Sequence, residues 1–209
     1  MNWVKICFKG YRRAAVLTVL ALIAVGAARE PATAETNWTA DELAVLQSGA
    51  PVVGVTPAPK PADGEVRAAI DVPAPKSAVW AVLVDCEGAP AFMDNLKSCS
   101  VLEKGGDWDV REHQIQWTTF LPKFKSVFRS QYVKEQSIVF KRTSGDLQYL
   151  EGSWRLEPRA GGAVTRIHYE VRVGFSSLVP GFLVRDAMAR DIPHFLTVLR
   201  NEALQRARS

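Results

Sequence analysis

The C-terminal stretch, residues 180–207, constrains the fold most because it reads as one long amphipathic helix. At about 100° per residue, one broad arc collects its apolar side chains, among them Val184, Met188, Ile192 and Phe195. The opposite side is polar and charged. About 25 helical residues extend about 38 Å, and a stretch this polar does not span a bilayer. The rest of the chain must therefore supply a large apolar surface for this helix.

Before this helix, hydrophobic and polar residues alternate with a period of two, which indicates β-strands. The six alternating segments are 96–104, 108–119, 124–135, 137–143, 147–157 and 163–175. They are separated by short, Gly-, Pro- and Asp-rich turns, so neighbouring strands must pair as antiparallel hairpins. Each strand has one apolar face, and a sheet of this kind must cover that face. The C-terminal helix is long enough to do so.

The elements upstream complete the order. A strand is predicted at 65–72, a short helix at 76–85 and a second short helix at 89–93. The sequence thus predicts an α+β fold, with about seven antiparallel strands curved around the long C-terminal helix and two short helices after the first strand. We place this domain at residues 64–209.

Residues 1–63 contain a leader and an extension. The leader, 1–34, has a basic start, an apolar run at 14–28 and a small-residue cleavage site ending at Ala34, which is typical of a secretory signal peptide. The alternative is a membrane anchor, but the run is shorter than the ~20 residues a spanning helix needs. Residues 35–63 then form a short helix, a brief strand at 52–55 and a Pro-rich connector. We expect an exported protein, periplasmic or secreted.

The charge balance argues against a nucleic-acid partner. The chain has 26 basic and 22 acidic residues, but five of the basic and one of the acidic residues lie in the leader, which leaves 21 of each. The basic character of the whole chain therefore comes from the leader, and residues 35–209 together carry no net charge that would attract nucleic acid. We expect a monomer.

Cysteine and histidine usage limits covalent and metal chemistry. Cys86 and Cys99 form an even pair outside the leader, which permits a disulfide in an exported chain. The alternative is two unpaired core residues, because sequence alone cannot place the two Cα atoms within bridging distance. The three histidines match no metal-ligand spacing, so no metal and no cofactor is predicted.

The order of elements and three local sequences, 70–103, 150–171 and 179–203, resemble the START-like superfamily of helix-grip proteins. The likeness is to the branch that contains polyketide cyclases and coenzyme Q-binding proteins. The resemblance implies an apolar cavity between the curved sheet and the long helix, and ligands such as lipids, isoprenoid quinones, sterols or polyketide intermediates. It brings no invariant catalytic motif to transfer.

The period-two phase and the helical arc together predict which side chains line that cavity. They are His113, Ile115, Trp117, Phe128, Tyr132, Phe140, Trp154, Tyr169, Met188, Ile192 and Phe195. The same residues are also compatible with a fully packed core. Two apolar turns predict a ligand portal or a site of transient membrane contact, with the alternative that they pack over the open end of the sheet. Their residues are Phe120, Leu121, Phe124, Leu178, Val179 and Phe182.

Only one weak acid–base constellation is suggested, His113 with Asp191 at the edge of the helical arc. Asp191 precedes Pro193, which disturbs the helix, so this carboxylate can equally reach water. We therefore expect a non-catalytic carrier or chaperone for a hydrophobic small molecule. The alternatives are a polyketide cyclase/dehydratase-like enzyme that uses these two residues, and an interaction module without a ligand.

Overall fold

The computed structural model describes residues 38–116, 123–175 and 180–208. Residues from Trp38 onward form one compact unit. Its helices are α1 (Ala40–Gln47), α2 (Lys76–Val84) and α3 (Gly181–Arg206), with short 3-10 turns at Ala89–Ala91 and Ala160–Gly162. Within these described residues, no helix is long and apolar enough to cross a membrane.

Eight antiparallel strands form one sheet in the order β1-β2-β8-β7-β6-β5-β4-β3. Their bounds are β1 (Val52–Pro57), β2 (Gly64–Val72), β3 (Leu96–Lys104), β4 (Trp108–Ile115), β5 (Phe124–Val133), β6 (Ser137–Gly145), β7 (Tyr149–Arg159) and β8 (Val164–Gly174). The meander β3–β8 follows the predicted hairpins, and β2 closes against β8. The predicted helix-grip class is confirmed, with one strand more than the predicted seven.

The additional strand comes from the segment that the sequence analysis treats as an extension. β1 pairs with β2 along its whole length, from Val52 opposite Ala69 to Pro57 opposite Gly64. Ahead of it, α1 starts with a capping box, in which the Thr39 hydroxyl and the Glu42 carboxylate each accept a backbone N–H. Strand β1 is therefore an edge of the domain's own sheet.

Helix α3 lies closest to β1, β2 and α2, at one end of the sheet. There its side chains Leu196, Leu199 and Ala203 are buried against the core that also contains Val66 and Ile70. The helix continues through Pro193, whose carbonyl accepts a hydrogen bond from the Thr197 hydroxyl at 2.8 Å. Because α3 rests on one end of the sheet, its remaining length faces the other strands across a gap.

The outer face of the sheet is polar but partly covered. Arg166 on β8 is buried and makes a two-point ion pair with Asp71 on β2, at 2.7 and 2.9 Å. His168, two residues along, is also buried and stacks on Trp38, the first described residue. The Trp38 ring in turn lies 3.8 Å below the Arg67 guanidinium. The segment that leads into α1 is thus held on the outer face, away from α3.

Candidate functional site

The gap between α3 and the sheet is a cavity of about 300 Å³. Its wall is mainly apolar and is built by strands β3–β8, by α2 with the turn that follows it, and by α3. A cavity of this size lies at the lower end of the range for small-molecule sites. A second cavity of about 280 Å³ shares Phe92, Met93, Asn95, Asp191 and Phe195 with the first. The α3 side of the site therefore has room beyond the main cavity.

The structure places nearly all of the described cavity residues predicted from sequence on this wall. Those on the wall are His113, Ile115, Phe128, Phe140, Trp154, Tyr169, Met188, Ile192 and Phe195. Three of them form one aromatic cluster: Trp154 stacks on Tyr169 with ring centroids 4.0 Å apart, and Phe195 of α3 meets Trp154 edge-on at 5.7 Å. Trp117 lies outside the described residues. Ligand binding by this set stays a prediction.

Glycine at position 152 shapes this wall. A Cβ there would stand 2.5 Å from the Phe140 ring and 2.5 Å from the Glu170 carbonyl oxygen. Phe140 lies directly across from Gly152 in the β6–β7 pairing. The missing side chain leaves room for the Phe140 ring, which packs against Tyr169 and Phe128.

Tyr132 is the exception among the described residues, because it does not lie on the cavity wall. It shares the period-two phase of Phe128, but α2 covers that end of β5. The Trp80 ring of α2 packs edge-on against Tyr132 with centroids 6.0 Å apart. Burial, and then the nearby Asp109 carboxylate, raise the pKa of Tyr132. Among the described residues its hydroxyl still has no partner within hydrogen-bond geometry. The prediction that it lines the cavity is wrong.

The predicted portal is described in part. Phe120, Leu121, Leu178 and Val179 lie outside the described residues. Phe124 lies on the cavity wall and packs edge-on against Phe175, with ring centroids 5.8 Å apart. Phe182, at the start of α3, is 62% exposed, and its neighbour Leu183 is 50% exposed. An apolar surface thus exists at this end of the helix.

Cys86 and Cys99 form a disulfide, with their Cα atoms 5.3 Å apart. Both are buried, and both lie on the cavity wall. The bridge joins the segment after α2 to β3, within a small apolar cluster that also contains Ala89 and Leu96. It therefore fixes the turn that forms one side of the cavity to the edge of the sheet.

His113 lies next to this disulfide, because it pairs with Cys99 across β3 and β4. Its ring meets Phe128 edge-on at 4.7 Å. Burial, and then the Arg111 guanidinium, lower the pKa of His113 to about 4. The imidazole lies on the cavity wall with this lowered pKa. It is therefore neutral at neutral pH.

The sulfurs of Cys86 and Cys99 and a ring nitrogen of His113 lie within 4.8 Å of one another. These are metal-ligating residue types, and sequence spacing missed the cluster because its members come from three separate segments, the turn after α2, β3 and β4. A metal would require thiolates, whereas here the two sulfurs are bonded to each other. The cluster is therefore a disulfide bond beside a neutral imidazole.

The charged groups on the wall are paired. Arg111 donates from Nε to Asp109 at 2.9 Å, and from its two Nη atoms to the Leu83 and Val84 carbonyls at 3.2 and 3.0 Å. Asp85 accepts from Arg206 at 2.7 Å, and the Gly88 N–H, followed by Arg206, lowers the pKa of Asp85.

Asp191, the second acid–base candidate, lies on the wall but accepts a hydrogen bond from Arg190 at 2.9 Å. Among the described residues, no hydrogen bond joins Asp191 to His113. The sequence-based pair therefore shares a cavity without forming an acid–base unit.

Ser126 is a wall residue that the sequence analysis did not select. It is 1% exposed, and its Oγ has no hydrogen-bond partner in the described part of the chain. It lies directly across from His113 in the β4–β5 pairing. The signal was present, because Ser126 has the same period-two phase as Phe124 and Phe128 and is the polar member of an apolar face.

Comparisons with known proteins agree with this geometry. A family profile described as "Polyketide cyclase / dehydrase and lipid transport" matches residues 72–200, well over half of the chain. No match is found among curated proteins.

Several solved structures share the fold. The Zhui aromatase/cyclase from Streptomyces sp. R1128 aligns with a TM-score of 0.62 at 17% identity, over 69% of this chain and 96% of its own. A STAR-related lipid transfer protein from Xanthomonas axonopodis aligns with a TM-score of 0.62 at 16% identity, over 75% and 94%. A START superfamily protein from Mycobacterium smegmatis gives a TM-score of 0.59 at 16% identity, over 68% and 97%. At these identities the likeness is one of fold.

Proposed function

This chain belongs to the polyketide cyclase/dehydrase and lipid transport family, and on that premise we propose that it is a non-catalytic carrier or chaperone for a hydrophobic small molecule. The ligand is a lipid, an isoprenoid quinone or a compound of similar shape. The observation that carries the proposal is the largely apolar cavity of about 300 Å³ between α3 and the sheet. Burial of the ligand there removes its apolar surface from water, which contributes about 0.8 kcal/mol per methylene group.

The pairing of the charged groups on the cavity wall and the weak basicity of His113 favour a carrier over a cyclase. General acid–base catalysis works best with a group whose pKa lies near the working pH. Burial holds the pKa of His113 at about 4, so it is a weak base at neutral pH. The Asp191 carboxylate is engaged by Arg190. The cavity therefore supports binding better than proton transfer.

We place the access route at the end of the cavity where Phe124 meets Phe175. The exposed Phe182 and Leu183 at the start of α3 would contact a membrane transiently during loading. Export to the periplasm or beyond is part of the proposal. It is supported by the leader-like pattern at 1–34 and by the disulfide, since such bonds persist in oxidising compartments.

The direct test is native mass spectrometry of protein purified from its own cell envelope. A co-purifying hydrophobic molecule is expected, and organic extraction identifies it. Ala187 lies on the cavity wall, whereas Ala189 on the same helix is exposed. Ala187→Trp should expel the ligand by filling the cavity, and Ala189→Trp is the matched control that should retain it.

Three results would contradict the carrier. A bare mass, together with a failure of fluorescent lipid analogues to bind, would favour the ligand-free interaction module. Turnover of a bound polyketide-type substrate that is lost in His113→Leu, with binding retained, would favour the cyclase. Equal ligand content in the Ala187→Trp and Ala189→Trp variants would show that the ligand binds elsewhere.

A further inference from the structure

An unpartnered hydroxyl inside an apolar cavity is unusual enough to indicate what the cavity accepts. A buried polar group without a hydrogen bond destabilises the folded protein, and most buried polar groups in proteins are satisfied. The Ser126 Oγ is such a group, on the wall of the cavity. A ligand that supplies the missing partner would recover this cost on binding.

His113 adds a second hydrogen-bonding group beside this hydroxyl. Cross-strand partners such as His113 and Ser126 have Cβ atoms about 5 Å apart on the same face of a sheet. A neutral imidazole offers one donor and one acceptor, and a serine hydroxyl offers both. The same two strands place the apolar Ile115, Phe124 and Phe128 on the wall, together with Ser130 and the ion-paired Arg111. His113 and Ser126 thus form one polar corner at the disulfide side of the cavity.

The corner offers no free charge to a ligand. The ionised side chains on the described wall are Asp85, Arg111 and Asp191. Each makes an ion pair between 2.7 and 2.9 Å, with Arg206, Asp109 and Arg190 respectively. The low pKa of His113 keeps its ring uncharged as well. A charged head group buried here would lose its hydration without gaining a counter-ion, which is strongly unfavourable.

Building on the carrier function proposed above, we propose that the cavity selects uncharged amphiphiles whose single hydroxyl or carbonyl group hydrogen-bonds to Ser126 and His113. The apolar body of the ligand lies along the aromatic wall toward Trp154 and Phe195. Molecules with a carboxylate or a quaternary ammonium head are excluded. The ligand class is therefore neutral: long-chain alcohols, esters, ketones or quinone-like compounds.

The test compares ligands that share one hydrocarbon chain length and differ in their head group. Dodecanol, methyl dodecanoate, dodecanoate, dodecyltrimethylammonium and the hydrocarbon dodecane are each used to displace the neutral dye Nile red at neutral pH. The charged probes are kept below their micellar concentrations and the neutral ones below their solubility limits. The two neutral polar probes should bind about tenfold or more tightly than the two charged ones. Charged probes that bind as tightly as dodecanol would overturn the head-group inference alone. Failure of all five probes to bind would overturn the carrier function as well.

Variants then test whether the polar corner causes the preference for neutral head groups. In Ser126→Ala the ratio of dodecanol to dodecane affinity should fall about five- to tenfold, while dodecane affinity is retained. Ser153 lies on the opposite face of the sheet, across from Val139 and Glu170. Ser153→Ala is therefore the matched control and should keep the ratio. An unchanged ratio in folded Ser126→Ala would refute the assignment.

One measurement needs no variant and so does not depend on Ser126→Ala folding. Methyl dodecanoate labelled with carbon-13 at its carbonyl is bound to the wild-type protein, and its infrared carbonyl band is recorded. A hydrogen bond from Ser126 or His113 shifts the band to lower frequency than in a hydrocarbon solvent. A band at the hydrocarbon position would show that the carbonyl has no donor and would overturn the inference.

Discussion

Removing the Cys86–Cys99 bridge should destabilise the protein by about 3 kcal/mol. The two cysteines are 13 residues apart in the chain. Closing a loop of this length in the unfolded chain lowers its entropy by an amount worth about 3 kcal/mol at room temperature. For a domain of this size, that corresponds to a melting temperature about 6–12 °C lower.

The perturbation is the double variant Cys86→Ala/Cys99→Ala, which removes the bond and leaves no free thiol. Equilibrium urea unfolding gives the free energy of unfolding for wild type and variant, each with and without a dithiol reductant. Reductant should lower the wild-type free energy of unfolding by about the same 3 kcal/mol and should leave the variant unchanged. The reductant-insensitive variant thereby separates loss of the bond from other effects of the reagent.

The reasoning fails if reduction of the wild type changes the free energy of unfolding by less than about 1 kcal/mol. That result would mean that the short segment between the cysteines is already compact in the unfolded chain. A loss of free energy of unfolding well above 5 kcal/mol would also contradict the entropy argument. It would show that the bridge holds the packing of Ala89 and Leu96, and with them the cavity wall.

Three further predictions concern single positions. Gly152→Ala should destabilise the fold by about 2 kcal/mol, since the new Cβ meets the Phe140 ring and a β8 carbonyl; urea unfolding measures it. His113 binds a proton at about pH 4 when folded and about pH 6.5 when unfolded, so stability should fall by up to about 3 kcal/mol as pH drops through that window. His113→Leu should flatten this pH dependence. Thr39→Ala should remove the α1 cap and cost that helix about 1 kcal/mol, seen as faster amide exchange in α1 with the sheet unaffected.

Most of the fold was predictable because local patterns determine it. Period-two alternation with short separators specifies both the strands and their antiparallel pairing, and the helical arc specifies which face of α3 is buried. Strand β1 was harder to place, since three valines followed by Pro57 do not reveal that β2 has a free edge to pair with. That edge exists because β8 pairs with the other side of β2.

The candidate site was less predictable, because it depends on distances between elements. The period-two alternation of β5 alone predicts that Tyr132 lies on the cavity face. In the structure the Trp80 ring of α2 packs against Tyr132 instead. The bridging distance of Cys86 and Cys99 follows from how the turn after α2 packs on β3. The juxtaposition of His113 with Ser126 follows from the register of β4 and β5. Whether apolar walls pack together or leave a void is set by how α3 rests on the sheet, which no single segment encodes.

The place of α3 after all the strands also determines when the cavity forms during folding. β1 and β2 support the helix at one end of the sheet, but this pair joins the other six strands only when β8, far along the chain, pairs with β2. Since α3 follows every strand, a chain that emerges in sequence order has no enclosed cavity until this helix docks. Until then the aromatic wall around Trp154 faces solvent and is prone to association with other chains. On the proposed carrier function, a ligand can be enclosed only after that last step, so ligand loading is expected of the finished domain and not of a folding intermediate.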